Sequence, residues 1–556
     1  MSGKNRNTAV YYELDGYTTT QKRLLGRQVA GESFLRGFVK SADVDDFYCF
    51  TDYPDKFEAF TNQVTDYREK PLKTSWVSPL TLNKMDDVGC LFYSGPGLES
   101  LGWQRRHVGQ AAYSLCGMTH TTCSKEAMQA FGGLITGPIE EWDAVICTSN
   151  SVKKTMEYAL DNWAEYLGSR TGSKPKIRVQ LPLLPLGINC DEFDRPDSAD
   201  AYVKSFKEEH KIGKDDVVVL YVGRLASHAK AHPLPMYQAL EKAAQKTSRK
   251  IHLVQSGWFA ADAIESQFKD GARKYCPSVN AIFIDGRVPD TRKHIWHVGD
   301  IFTTLADNIQ ETFGITPLEA MAAGMPVVAT DWDGYRETIR DGVDGFLVRT
   351  TMPEPGTGRP LAYRYQVGYD SYDRYIGQVS LFTNVDTDHC ADAYLKLIDN
   401  PDLRRKMGAA GKKLVMEKYD WGVLIPQYQD LWAGLADRRG AAKSEKITIP
   451  VPLVDDPFAS FGHYPTQLMQ PSTRLSPAEG ERKSINFYLK DPLGGGAAHL
   501  MPTEEVLEKI LSTIEAEGEC SILEIAQKFQ LRPDRMILFA GWLAKMDLVK
   551  VLAEEK

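Results

Sequence analysis

The chain has 556 residues, more than one hydrophobic core can organise, which suggests three or four domains of about 150 residues each. Hydrophobic residues make up 43% and charged residues 25%, with a mean hydropathy of −0.34, values that exclude disordered and fibrous classes. A formal net charge of −8 excludes a surface built throughout for nucleic acid. The nine cysteines, odd in number and without a Cys-x-x-Cys pair, argue against a disulfide framework and a structural zinc site, and fit a reducing cytoplasm.

The opening Met1–Thr8 has no apolar run of the signal-peptide kind, and nowhere do about 18 uncharged apolar residues follow one another. The expectation is a cytoplasmic chain without a spanning helix, compatible with peripheral contact at the inner face of a membrane. Strand-like runs follow at Ala9–Tyr12, Asp87–Tyr93, Asp143–Cys147 and Val179–Leu184, with a helical pattern over Ser151–Leu167. A second series runs through Val217–Val222, Ile251–Val254, Ala281–Ile284, Asp300–Thr304 and Pro326–Ala329. Strands alternating with helices predict βαβ units, hence two consecutive Rossmann-like domains over residues 1–205 and 206–437, with a charged seam near Asp194–Lys214.

Residues 438–500 are rich in Pro, Gly, Ser and charge and read as a linker. Beyond it, Val506, Leu507, Ile510, Leu511 and Ile514 form one helical stripe. Ile522, Ile525, Ala526 and Phe529 form a second, and Met536, Leu538, Phe539, Trp542 and Leu543 a third, before the run Leu548–Leu552. Residues 501–556 therefore resemble a small, mostly helical winged-helix-like domain. Their acidic balance predicts a protein contact or self-association rather than nucleic-acid binding.

The stretch with the most chemistry is Asp307–Thr330. Thr316 reads as an N-cap, Pro317 as the first helical residue and Glu319 as the reciprocal partner of a capping box. A helix starting there, straight after a strand, presents open N–H groups around Phe313, Gly314, Ile315 and Thr316 to an anion. Upstream, Val217–Val222 ends in Gly223–Arg224–Leu225, with Lys230 six residues after the arginine. Two cations beside a helix N-terminus can stabilise a departing diphosphate without a metal.

Glu311 and Glu319 stand in the E-x7-E spacing, and the surrounding Glu311–Val328 resembles the hallmark of family 4 glycosyltransferases of GT-B fold. The resemblance spans roughly residues 8–436 and is strongest from 217 to 348. It implies two Rossmann-like domains facing across a cleft, with Glu311 on the donor sugar hydroxyls and Glu319 on the ribose. It further implies Arg224 and Lys230 on the diphosphate, and Phe313, Gly314, Ile315 and Thr316 offering backbone groups. It also makes Gly31, within Gly26–Glu32, part of a glycine-bearing loop facing the diphosphate, and His120 a residue of the sugar-facing rim. Pro185–Phe193 is similar to the segment before the domain linker, with Asn189 where an acid is usual. Tyr419–Trp421 and Tyr428 are similar to a closing helix, about 416–436, that crosses back onto the first domain.

The implied activity is retaining, metal-independent transfer from a nucleotide-diphosphate sugar to a glycan, lipid or small-molecule hydroxyl, with Glu311, His120, Arg224 and Lys230 as the catalytic set and no cofactor. Asp331–Asp333 reads as a turn and not as a metal-binding pair. Two alternatives stand beside this reading: a sugar-nucleotide epimerase of the same fold, and a non-catalytic scaffold that senses a nucleotide sugar. The Tyr- and Pro-rich insertion Arg349–Phe382 has no assigned role.

Overall fold

The computed structural model describes residues 6–19, 26–68, 70–443 and 447–553; the reading of the extreme start, Met1–Asn5, lies outside them. Two compact units divide the chain, one ending at Pro450 and the other beginning at Val451.

The first unit holds two six-stranded parallel sheets. The first contains β1 (Ala9–Tyr11), β2 (Asp46–Phe50), β3 (Lys73–Val77), β4 (Cys90–Phe92), β5 (Ser114–Met118) and β6 (Ala144–Ile146), in the order β3-β2-β1-β4-β5-β6. The second contains β7 (Val217–Val222), β8 (Ile251–Gly257), β9 (Asn280–Asp285), β10 (Ile301–Thr304), β11 (Val327–Thr330) and β12 (Gly345–Val348), in the order β12-β11-β10-β7-β8-β9. Both orders are doubly wound: the chain starts in the middle, winds to one edge, and returns to wind to the other. The expected pair of Rossmann-like domains is therefore present. Strands such as Val217–Leu220 and Val327–Thr330 are buried on both faces, which is why they read as continuous apolar runs.

Three expectations are corrected. Val179–Leu184 forms no strand of its own. It runs beside β6 through isolated bridges, Val145 N–H donating to Gln180 O (2.9 Å) and Cys147 N–H to Pro182 O (2.9 Å), while Pro182 has no N–H to continue a ladder. Gly26–Glu32 is not a loop, because the helix Gly26–Ser41 covers it. The proposed linker 438–500 is structured in part. The helix Trp421–Gly440 enters it, and in the second unit Arg474–Pro477 is the central strand of a three-stranded antiparallel sheet with Cys520–Ser521 and Val549–Val551. Leu475 and the helical Ile485 are fully buried in that unit's core with Leu507, Ile510, Ile522 and Met536. The three expected stripes become the helices Glu504–Glu517, Ile522–Lys528 and Pro533–Lys545, the second opened by a Ser521/Glu524 capping box.

The helix Trp421–Gly440 is the expected crossing element, displaced a few residues toward the C-terminus. Asp420 caps it, accepting from Gly422 N–H (2.7 Å) and from Cys190 N–H (3.0 Å), while at the junction Ile188 N–H donates to Tyr419 O (2.9 Å) and Trp421 N–H to Ile188 O (3.0 Å). Its Trp421, Tyr428 and Trp432 pack on Phe34, Phe38 and Phe92 of the first domain. No helix among the described residues is long and apolar enough to cross a membrane.

Candidate active site

In an open parallel sheet a ligand finds its crevice outside the carboxyl ends of the strands where the winding reverses. Here those points lie between β1 and β4 and between β7 and β10. The chain leaving β7 supplies Gly223, Arg224 and Lys230, and the chain leaving β10 supplies Asp307–Gly314, followed by the helix Ile315–Ala322.

That helix is capped by Gly314, not by the expected Thr316. Gly314 has φ +83° and no side-chain cap bond, and a Cβ there would run into the Tyr335 ring. Thr316 sits inside the first turn, so the capping box with Glu319 does not form. The shift has a chemical consequence. The first N–H groups of a helix have no internal acceptor, so those of Gly314, Ile315 and Thr316 stay open, while Pro317 has none to leave unpaired. Phe313 is buried, its ring 6.4 Å from that of Tyr419, so only its backbone can meet a ligand.

Beside this open end, Lys230 Nζ lies 3.5 Å from Glu311 Oε2, and the Glu311 side chain is only 14% exposed. Arg224 is half-buried and, among the described residues, in no ion pair. The structure thus brings Arg224, Lys230, Glu311 and the 314–316 N–H groups to the carboxyl ends of the central strands of the second sheet. Glu319, one turn into the helix, is pushed up to about 8 by burial, with Glu192 adding to the rise and Arg292 opposing it. Its carboxyl is therefore largely protonated at neutral pH.

His120 follows β5 in the first domain and is half-buried. Burial holds its imidazole below the usual histidine range, against a contact with Ser94 backbone that raises it, and so keeps it neutral. Its carbonyl accepts from Thr312 Oγ1 (2.7 Å), which ties the rim of the first domain to the residue next to Glu311. Gly31 takes no place in this set: it is buried in its helix against the Gly16 carbonyl, where a Cβ would not fit. Asn189 turns to the same helix, donating to Ser33 Oγ (3.2 Å).

Asp331 and Asp333 lie in a turn, as expected, and take separate partners. Arg336 Nε donates to Asp331 (2.8 Å), and Ser149 Oγ reaches across from the first domain to Asp333 (2.7 Å). Burial raises Asp333 to about 7, with Glu311 and Glu337 adding to the rise. Glu337 accepts from Asn150 N–H (2.7 Å), so two acids of the second domain meet the start of the helix Asn150–Thr171. Sequence reasoning missed these seam contacts, and it missed Asp307, which is buried, accepts from His232 N–H (3.2 Å) and is raised to about 7 by burial. An acid three residues after a buried strand was the available signal. Among the described residues, no group of three or more His, Cys, Asp or Glu side chains is placed to hold a metal ion.

The fold and this arrangement define a two-domain α/β protein whose second domain carries two cations, an acid and an open helix end at the carboxyl ends of its central strands. Residues 203–355 match the family described as glycosyl transferases group 1, the segment that contains Arg224, Lys230, Glu311 and Glu319. The chain is 24% identical over 340 residues to the EpsD protein of Bacillus subtilis (strain 168), a match covering 61% of this chain and 74% of that one. It is 26% identical over 254 residues to a phosphatidyl-myo-inositol mannosyltransferase of Mycobacterium tuberculosis, covering 46% of this chain and 54% of that one, so it spans about half of that relative. Among solved structures, Anabaena HepE in complex with UDP-glucose superposes over 76% of this chain and 98% of that one, at 12% identity and a TM-score of 0.47.

Proposed function

We propose that the chain transfers a sugar, with retention and without a metal, from a nucleoside diphosphate sugar to an acceptor hydroxyl. The observation that carries this reading is the grouping of Lys230 and Glu311, 3.5 Å apart, with the three open N–H groups of residues 314–316. In this reading Arg224, Lys230 and the helix end take up the charge that develops on the departing diphosphate. These groups are fixed before the reaction, in a site partly shielded from water. Glu311 accepts hydrogen bonds from hydroxyls of the donor sugar, and Glu319, protonated in the free protein, faces the ribose. Retention fits a same-face attack through an oxocarbenium-like state, in which the departing phosphate takes the acceptor proton. Neutral His120 lines the opposite rim as a hydrogen-bonding group without adding charge to the sugar.

The test is a thermal-shift screen against UDP-, GDP- and ADP-sugars, in which a donor at 100 times its dissociation constant should stabilise by about 2.7 kcal/mol. Donor hydrolysis and NMR of the product anomer follow for whichever sugar binds. Absence of binding by all three classes, or formation of an epimerised sugar nucleotide in place of free nucleoside diphosphate, overturns the reading.

A further inference from the structure

The insertion 349–382 leaves the second domain through the strand pair Thr350–Thr351 and Asn384–Val385 and forms two helices, Arg359–Gln366 and Tyr372–Leu381. The helices are locked to each other. Buried Asp370 accepts from Arg364 Nε (2.7 Å) and lies 3.1 Å from Arg374 Nε, and the rings of Tyr365 and Tyr375 stack at 4.5 Å. The pair then touches both domains beside the site. Toward the second domain, Ile376 is fully buried with Ala226 and Ala229 of the segment between Arg224 and Lys230. Asn308, three residues before Glu311, donates through Nδ2 to His228 O (2.7 Å) and to Ile376 O (3.5 Å). Toward the first domain, Tyr372 OH lies 3.3 Å from both Thr121 Oγ1 and Cys123 Sγ, and Cys123 belongs to the same apolar cluster as Ile376. Lys125 N–H donates to Tyr365 OH (3.1 Å), and Lys125 Nζ lies 4.8 Å from the centre of that ring.

We propose that residues 349–382 form a strap that holds the His120 segment in register with the Arg224–Lys230 segment, with Tyr372 as its positioning residue. An ornamental insertion would pack on its own domain alone. This one places its most buried apolar side chain among residues of both domains, and each contact falls within five residues of His120 or on the segments that carry Arg224, Lys230 and Glu311. The proposal rests on the glycosyl-transfer reading for its kinetic consequence. Tyr372 touches the first domain while Ile376 grips the second, so removing the Tyr372 hydroxyl should weaken the strap's hold on the His120 segment and leave the donor-side cations in place. A net hydrogen bond in a partly buried setting corresponds to about a fivefold change.

The experiment compares full-length wild type with Tyr372→Phe, Tyr365→Phe and the control Tyr363→Phe, at a residue that is 64% exposed. The expected result is a kcat about fivefold lower in Y372F and in Y365F, with affinity for UDP, GDP or ADP within about twofold, an unfolding midpoint lowered by no more than about 2–4 °C and an unchanged Y363F. Thr121→Val added to Y372F should cost little more than Y372F alone. Hydrogen exchange over residues 119–125 should be faster in Y372F than in wild type. A Y372F protein with wild-type kcat and wild-type exchange overturns the strap. So does a joint fall of kcat, nucleotide affinity and unfolding midpoint, which would mark Tyr372 as merely structural. A wild type that turns over no nucleotide sugar defeats the enzymatic reading, while the exchange comparison still decides the strap.

Discussion

Gly314→Ala is the substitution whose effect follows most directly from the geometry. An alanine at φ +83° pays the steric penalty of the left-handed region, about 1–2 kcal/mol. Its Cβ would lie 2.7 Å from Tyr335 Cδ1 and closer still to Cε1. Tyr335 is 1% exposed and its hydroxyl is 3.3 Å from Thr304 Oγ1, so the ring has nowhere to swing, and overpacking of this kind costs about 1–3 kcal/mol. Together the two effects amount to about 2–5 kcal/mol, or a fall in the unfolding midpoint on the order of 5–15 °C for a domain of this size. The chain can escape part of that cost only by moving the 313–316 backbone, which turns the open N–H groups away from their common direction. Loss of even one hydrogen bond to a charged phosphate is worth about 1.5–3 kcal/mol, so nucleotide affinity should fall by roughly 10- to 100-fold. Differential scanning fluorimetry with and without nucleotide, followed by calorimetric titration, reads both quantities. An alanine variant with an unfolding midpoint within about 1 °C of wild type and unchanged affinity would refute the argument that the cap geometry builds the site.

Arg224→Ala and Lys230→Ala should each lower kcat/KM by about 10², or 2.7 kcal/mol, with the fold intact by circular dichroism; unchanged kinetics in both would remove these residues from the site. Sugar transfer should survive EDTA, and loss on chelation with recovery on Mg²⁺ or Mn²⁺ would bring Asp331 and Asp333 back as ligands. A chain ending at Pro450 should keep donor hydrolysis, since Arg106 Nε donates to Pro450 O (2.7 Å) and the first unit closes there; folded but inactive protein would contradict the division into catalytic and accessory units. Asp307→Asn tests a buried acid raised from 3.8 to about 7. The folded state then binds more protons than the unfolded one between those values, so wild-type stability from this group is present below pH 3.8 and lost as pH rises toward 7. Asparagine keeps an acceptor for His232 N–H without the charge, so the variant should equal wild type at low pH and gain on it by pH 8; parallel melting curves across pH would sink this reading.

Much of the second domain was legible in the sequence because its central strands are buried on both faces and its site residues sit close together in the chain. What escaped was either short or long-range. Ser114–Met118 is Ser-Leu-Cys-Gly-Met, with neither the alternation nor the β-branched run that marks a strand, although all five residues are buried. Lys73–Val77 lies at a sheet edge and carries polar residues for that reason. Arg474–Pro477 hid in a Pro- and Gly-rich stretch because its partners, at 520–521 and 549–551, lie far along the chain. The insertion was unreadable on the same ground: Tyr365 meets Lys125 across 240 residues, and no periodicity reports such a pairing. Thr316 misled because its capping signature is a local preference, and the crowded approach of Tyr335 to Gly314 overrode it.

The 307–316 segment carries most of the site yet has no secondary structure of its own before residue 315, so its rigidity must come from its neighbours. Asn308 is held by His228 O, Gln310 Nε2 by Ala229 O (3.0 Å), and Trp332 Nε1 reaches back to Asn308 O (3.2 Å), all from the second domain. Thr312 is held from the other side, by His120 O and by Thr148 Oγ1 (3.4 Å). At about 1 kcal/mol net per hydrogen bond, neither group of contacts dominates. The first domain therefore supplies part of the restraint that holds Glu311 and the 314–316 N–H groups in place. A separated second domain would be expected to keep its fold and lose nucleotide affinity, because the aim of the loop, and not the list of residues on it, is what the seam provides.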